Sequence, residues 1–142
     1  MAQPKNITAA NSSVSMSSPL GLTKWEGYSA DATFTTENVT FVETKIGVDG
    51  IMSAGYVPTI KTLTATFEAS SDTIPKLDAL IALCESSKTP VAVVLTFIIP
   101  AVSRKFIVNA VLTGGNPLFN ATKTLEAKEY VFQFSESVPM PI

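Results

Sequence analysis

The sequence predicts a mainly β protein, an antiparallel β-sandwich or partly closed barrel with one flanking α-helix and a projecting hairpin. Three observations carry this. Period-2 alternation of apolar and polar residues recurs from residue 31 to residue 137. Only one stretch, residues 72–88, has helical periodicity. And 46% hydrophobic residues against 15% charged leave ample apolar material for one core in 142 residues.

The first 24 residues, dominated by Asn11, Ser12, Ser13, Ser15, Ser17, Ser18 and Pro19, show no period. They read as an extended arm, either a disordered tail or an arm that orders on a neighbouring subunit. They lack the basic start and apolar stretch of a signal peptide. Trp25 and Tyr28 follow and pack at the edge of the core or anchor the arm. Residues 25–138 form the β domain, and 139–142 an extended tail.

Strand character begins at Asp31, with Ala32 and Phe34 alternating with Thr33 and Thr35. Asp49-Gly50 centres a hairpin with arms at Thr40–Val48 and Ile51–Tyr56. A type I′ turn there requires positive φ at both central residues, which Asp-Gly favours. The hairpin carries Glu43, Lys45 and Asp49 and is less apolar than a core hairpin. It is either a solvated surface hairpin or one that projects and pairs elsewhere. Thr59–Ala69 follows as a two-faced strand, with Leu63, Ala65 and Phe67 on one side and Thr62, Thr64, Thr66 and Glu68 on the other.

The helix over 72–88 places Ile74, Leu77, Ile81 and Cys84 on one stripe, Leu80 at its margin and Leu83 away from it. Pro75 is tolerated in the first turn. Residues 90–99 are apolar on both faces and predict a central strand covered on each side. Arg104–Thr113 alternates again. Gly114-Gly115-Asn116-Pro117 marks a turn. Thr122–Ser137 is the last strand, with a bulge expected near Lys128, where Leu125 and Ala127 fall out of phase with Tyr130, Phe132 and Phe134.

The composition argues against chemistry. The chain has no histidine and one cysteine, so the usual general bases and metal ligands are scarce. No catalytic, cofactor-binding or metal-binding residue is expected, and no cofactor. Asp72 and Asp78, and Glu126 and Glu129, read as members of solvated faces. Cys84 reads as a small buried hydrophobe. A net charge of −2 supplies no basic stripe for nucleic acid and no attraction to an anionic membrane. One cysteine cannot form an internal disulfide. A small-molecule substrate would require clustered aromatics around polar groups, and the single Trp and three Tyr are dispersed.

The succession of motifs is more specific than any one of them. Gly27-Tyr-Ser-Ala-Asp-Ala-Thr-Phe34 leads to Glu43-Thr-Lys-Ile-Gly-Val-Asp-Gly-Ile-Met-Ser-Ala-Gly-Tyr56. Phe67-Glu-Ala-Ser-Ser-Asp72, the helix, and Lys123-Thr-Leu-Glu-Ala-Lys-Glu-Tyr-Val-Phe-Gln-Phe134 follow. This order, over residues 25–138, resembles the tail tube (inner tube) proteins of bacteriophages, particularly those with contractile tails. The resemblance implies a structural virion protein, assembled in the bacterial cytoplasm. Its rings, usually of six subunits, stack into a hollow tube through which DNA passes at ejection.

By that resemblance the partners are further copies of the chain, the tail sheath, the baseplate or tail terminator, and the tape measure protein; DNA transits without specific binding. The resemblance also implies that Glu43, Lys45, Ile46, Val48, Asp49, Gly50, Ile51, Met52 and Tyr56 form an inter-subunit hairpin. Asp31, Glu37, Glu43, Asp49 and Glu68 are the candidate lumen-facing carboxylates, although the neutral Thr62, Thr64 and Thr66 give that strand no acidic lining. The alternatives are another tail or virion β-sandwich component, such as a tail completion or decoration protein, and a small ligand-binding β module.

Overall fold

A computed structural model describes residues 12–25 and 34–141. Among the described residues the expected fold class is the one observed: mainly antiparallel β, one α-helix, an open rather than closed sheet, and a separate hairpin. The strands are β1 (Ser13–Ser18), β2 (Gly21–Lys24), β3 (Phe34–Thr36), β4 (Val42–Ile46), β5 (Met52–Tyr56), β6 (Lys61–Phe67), β7 (Ala92–Ile99), β8 (Arg104–Gly115) and β9 (Lys128–Pro141). Helix α1 (Thr73–Ser87) lies between β6 and β7, and a short 3₁₀ turn (Pro100–Val102) joins β7 to β8. Seven strands form one sheet in the order β2-β1-β7-β8-β9-β6-β3, and β4 pairs only with β5.

The sheet is strongly curled. β7 and β3 stand four places apart, which would separate them by about 19 Å in a flat sheet. Yet the rings of Phe34 on β3 and Phe97 on β7 lie with centroids 5.1 Å apart. Two register shifts in the β8–β9 ladder, at Val108/Ala110 and Leu112/Gly114, add twist and bend where the curl requires them. These replace the bulge expected at Lys128. That residue is instead the regular first residue of β9, in phase with Tyr130, and Leu125 and Ala127 lie in the preceding loop. Gly115 sits where a Cβ would come 2.8 Å from the Glu129 carbonyl, so close approach of the two strand backbones requires glycine there. β8 therefore runs through the Gly-Gly pair that reads as a turn in sequence.

The concave face holds the core. Val14, Met16, Leu63, Phe67, Val93, Leu95, Phe132 and Tyr130 are buried there with Ile74, Leu77 and Leu80 of α1. Leu80 is central rather than marginal, and Leu83 packs against the core instead of pointing away. Trp25 is central too, 2% exposed. Its amide donates to Val14 O at 2.9 Å, and its ring meets Phe67, Phe97 and Phe132. α1 ends at Lys88, left-handed at φ 58°, whose amide closes on Cys84 O, a standard way to satisfy an orphan carbonyl.

Two expectations are corrected at the first strands and at β7. Within the described residues, the segment read as an arm is folded into the subunit's own sheet, β1 pairing with β7 and with β2. Residues 1–11 lie outside the described residues. The tail from 139 continues β9 to Pro141. In β7, Val93, Leu95 and Phe97 are buried, whereas Ala92 and Val94 on the opposite face are exposed, so a strand apolar on both faces is covered on one.

The helix is tied to the sheet by a polar cluster that sequence spacing does not reveal. Lys128, 3% exposed at its side chain, donates to Asp78 Oδ1 at 2.7 Å, and Tyr130 Oη donates to the same oxygen at 2.6 Å. Lys128 Nζ also lies 5.0 Å from the centre of the Phe119 ring, within range of a cation–π attraction. Asp78 is thus the counter-ion of a buried lysine and not a member of a solvated face. Asp78→Ala, which strands that charge, is expected to cost roughly 3 kcal/mol, read as a drop in the urea midpoint at unchanged slope.

Burial, and then the adjacent Asp78, push the Tyr130 phenol well above its ordinary range. A raised pKa means that the fold favours the protonated form. This contribution is complete below about pH 10, the unfolded value, and fades as pH rises beyond it. Tyr130→Phe is expected to flatten the alkaline limb of the stability–pH curve, and an unchanged limb would show that Tyr130 does not govern it.

Candidate functional site

The β4–β5 hairpin is the part of the described chain that the fold itself leaves unused. Residues 41–56 are all exposed, and β4 and β5 pack appreciably against no other element. A lone two-stranded hairpin is marginal in water, so its order depends on its turn, its base and whatever covers it. At the base, Val57 N donates to Phe41 O at 2.9 Å and Thr59 Oγ1 donates to Thr40 O at 3.0 Å.

At the tip, Gly50 N donates to Gly47 O and Gly47 N to Ile51 O. Gly50 has φ +80°. Asp49 is not among the described residues with positive φ. The turn is therefore a three-residue loop, a type I turn closed by a left-handed glycine, rather than type I′. Asp49 Oδ1 accepts from Ile51 N at 3.1 Å, which holds the acidic side chain against its own turn.

Register turns this hairpin into an amphipathic element. Val42 faces Tyr56, Thr44 faces Ala54 and Ile46 faces Met52. Since the side-chain period is two, these six residues share one face. Glu43, Lys45 and Ser53 occupy the other, with Gly55. Ile46 is 75% exposed, Met52 66% and Tyr56 71%. Val48 and Ile51 extend the apolar surface over the tip. The hairpin residues singled out in sequence are thus brought together, but in two sets: an apolar stripe of Ile46, Met52 and Tyr56 with the tip residues, and a polar back of Glu43 and Lys45. The signal was present in the alternation Val42-Thr44-Ile46 and Met52-Ala54-Tyr56. It was masked because the charges on the opposite face dilute the average hydrophobicity of the segment.

The convex face of the main sheet is the second open surface. It presents Ser15 and Ser17 of β1, Thr62, Thr64 and Thr66 of β6, Thr96 of β7, Asn109 and Thr113 of β8 and Gln133 of β9, interspersed with Val94, Val111 and Val131, as the strand registers place them. Its charges, Lys24, Lys105 and Glu129, sit near strand ends.

The candidate carboxylates are dispersed over the molecule and do not share one face. Glu37 follows β3, Glu43 and Asp49 lie on the hairpin, and Glu68 follows β6, all exposed. Asp31 lies outside the described residues. A third feature is a groove of about 340 Å³ at the open end of the curl. Phe34, Leu63, Phe97, Phe106 and Phe134 line it, with Glu37 and Lys61 among its polar groups. No spacing in the sequence signals it, because its walls come from five strands that only the curl assembles.

The chain is similar to known proteins in sequence family and in fold. A family model described as tail fiber protein gp32 matches residues 5–138. No curated protein sequence matches the chain. Among solved structures, the chain is similar to one in the anti-feeding prophage baseplate, with TM-score 0.57 and 8% identity over 99% of this chain and 98% of that one. A chain of the anti-feeding prophage tube-terminating cap matches with TM-score 0.58 and 8% identity over 100% and 95%. A third, from the sheath/tube terminator of an extracellular contractile injection system in the extended state, matches with TM-score 0.60 and 13% identity over 98% and 99%. At such identities these likenesses establish a shared fold.

Proposed function

The chain belongs to the tail fiber protein gp32 family, and from that premise we propose that this phage tail structural protein is the subunit of a hollow tail tube. Stacked rings, six-fold by the resemblance, form the tube and DNA passes through it. The observation that carries the reading is the hairpin. An apolar stripe of Val42, Ile46, Met52 and Tyr56 stays in water in the monomer, and exposed apolar surface of this kind marks an interaction site. A hairpin that leaves its own subunit to cover this stripe on another makes a head-to-tail contact, which closes into rings or continues into filaments.

The convex sheet face supplies the channel wall. Hydroxyl, amide and aliphatic groups make up most of it, and its two cations, Lys24 and Lys105, sit near strand ends, so phosphate meets no basic stripe there. Glu68, which follows β6 and is exposed, is the candidate carboxylate nearest this face, and its role is to repel phosphate at the margin of each ring. The remaining partners are the sheath on the outside, the tape measure protein in the channel during assembly, and the baseplate and terminator at the ends. The protein is structural and not an enzyme, and its place is the virion tail after assembly in the host cytoplasm.

A second reading is favoured by the origin of two similar structures, a tube-terminating cap and a sheath/tube terminator. In it the protein forms a single terminal ring. Negative-stain electron microscopy of the purified protein over a range of concentrations separates the two. The tube reading expects hollow tubes that lengthen with concentration. Closed rings that never stack support the terminal-ring reading, and solid fibres without a channel overturn both.

A further inference from the structure

We infer that the groove at the open end of the curled sheet is the receptor for the hairpin of a second copy of this chain, a contact that rests on the subunit reading above and specifies its partner surface. The groove floor is apolar, with Phe34, Phe97, Phe106 and Phe134 around a cavity of about 340 Å³, at the low end of pocket sizes that accept a few side chains or a small ligand. The hairpin, whose base adjoins the groove, is a further apolar surface left open. Its tip residues Val48 and Ile51 are aliphatic and exposed.

The hairpin of the same chain does not fill the groove. Its base emerges beside the groove, since Thr36 and Glu37 precede it and Lys61 follows it, and all three line the cavity. From there each arm runs five residues, a reach of about 17 Å at strand rise. That carries the tip away from its own groove, and the arms pack against no other element. A surface that cannot satisfy itself, with its complement on the same molecule, is the condition for head-to-tail association of identical copies.

The polar groups agree. The hairpin back carries Glu43 and Lys45, and the groove carries Lys61 and Glu37. None of the four has an ion-pair partner among the described residues. Lys61 Nζ donates to Ser135 O at 2.6 Å, and docking a tip into the groove brings Lys45, the hairpin charge nearer the tip, toward Glu37. Such complementarity fixes register more than it adds affinity.

The test uses two variants of the full chain. Ile51→Asp damages the tip and leaves the groove intact. Ser137→Trp fills the groove and leaves the tip intact. Each alone is expected to lower self-association at least 100-fold in sedimentation velocity, with the far-ultraviolet spectrum and Trp25 emission of Ile51→Asp unchanged. Mixed at equal concentration, the two form a 1:1 dimer that grows no further, because one intact tip meets one intact groove. Thr36→Trp replaces Ser137→Trp if the latter misfolds. A groove variant that assembles like the unaltered protein, or a mixture that stays monomeric, overturns the inference while leaving the tube reading standing. Unaltered protein that remains monomeric at every concentration overturns the reading beneath it as well.

Discussion

Deleting Lys45–Ala54 is expected to yield a folded monomer that no longer assembles. The deletion removes no buried residue, since positions 41–56 are all exposed. It also leaves Thr44 and Gly55 adjoining in a ladder where Thr44 already faces Ala54 and Glu43 faces Gly55, so the cut ends meet without moving β3 or β6. Thermal stability is therefore expected within about 0.5 kcal/mol of the intact protein, as for changes remote from the core. Assembly is expected to vanish, because the apolar stripe and tip leave together. Microscopy and sedimentation of the deletion decide it: tubes of normal diameter would show that the hairpin is a surface ornament.

Leu95→Asp is expected to abolish the fold. Leu95 is fully buried between β1 and β8, where it faces Met16 and Val108. The substitution removes core volume and introduces a carboxylate with no partner within the apolar floor. Each of those losses is worth several kcal/mol, against a total stability of about 5–15 kcal/mol for a domain. The informative control is the next residue. Val94→Asp lies on the convex face and is 39% exposed, so it is expected to cost less than about 1 kcal/mol. Equal loss of the cooperative transition in both variants would show β7 covered on both faces.

The same pair shows where sequence and structure part. Strand, helix and hairpin were legible because their signals are local: alternation in Thr62–Phe67, the single helical stripe of Ile74, Leu77 and Leu80, and Asp49-Gly50 between two strand-forming segments. The antiparallel β class with one helix follows from these alone. Burial of β7 was not legible, because Val93 and Val94 are the same residue type, and which one is buried depends on the direction in which the sheet curls.

Position in the sheet was equally hidden. Ser13–Ser18 reads as an unpatterned polar segment, yet Val14 and Met16 complete the core once β7 pairs with it. The Lys128–Asp78–Tyr130 cluster joins residues fifty positions apart, a separation no spacing rule spans. The elements, the dearth of catalytic groups and the Asp49-Gly50 hairpin follow from neighbours along the chain. That one sheet face is wet, that the hairpin is amphipathic and packs appreciably against no other element, and that an aromatic groove opens beside its base emerge in three dimensions alone. Those features are set by register and curl, which bring together side chains that share no local pattern.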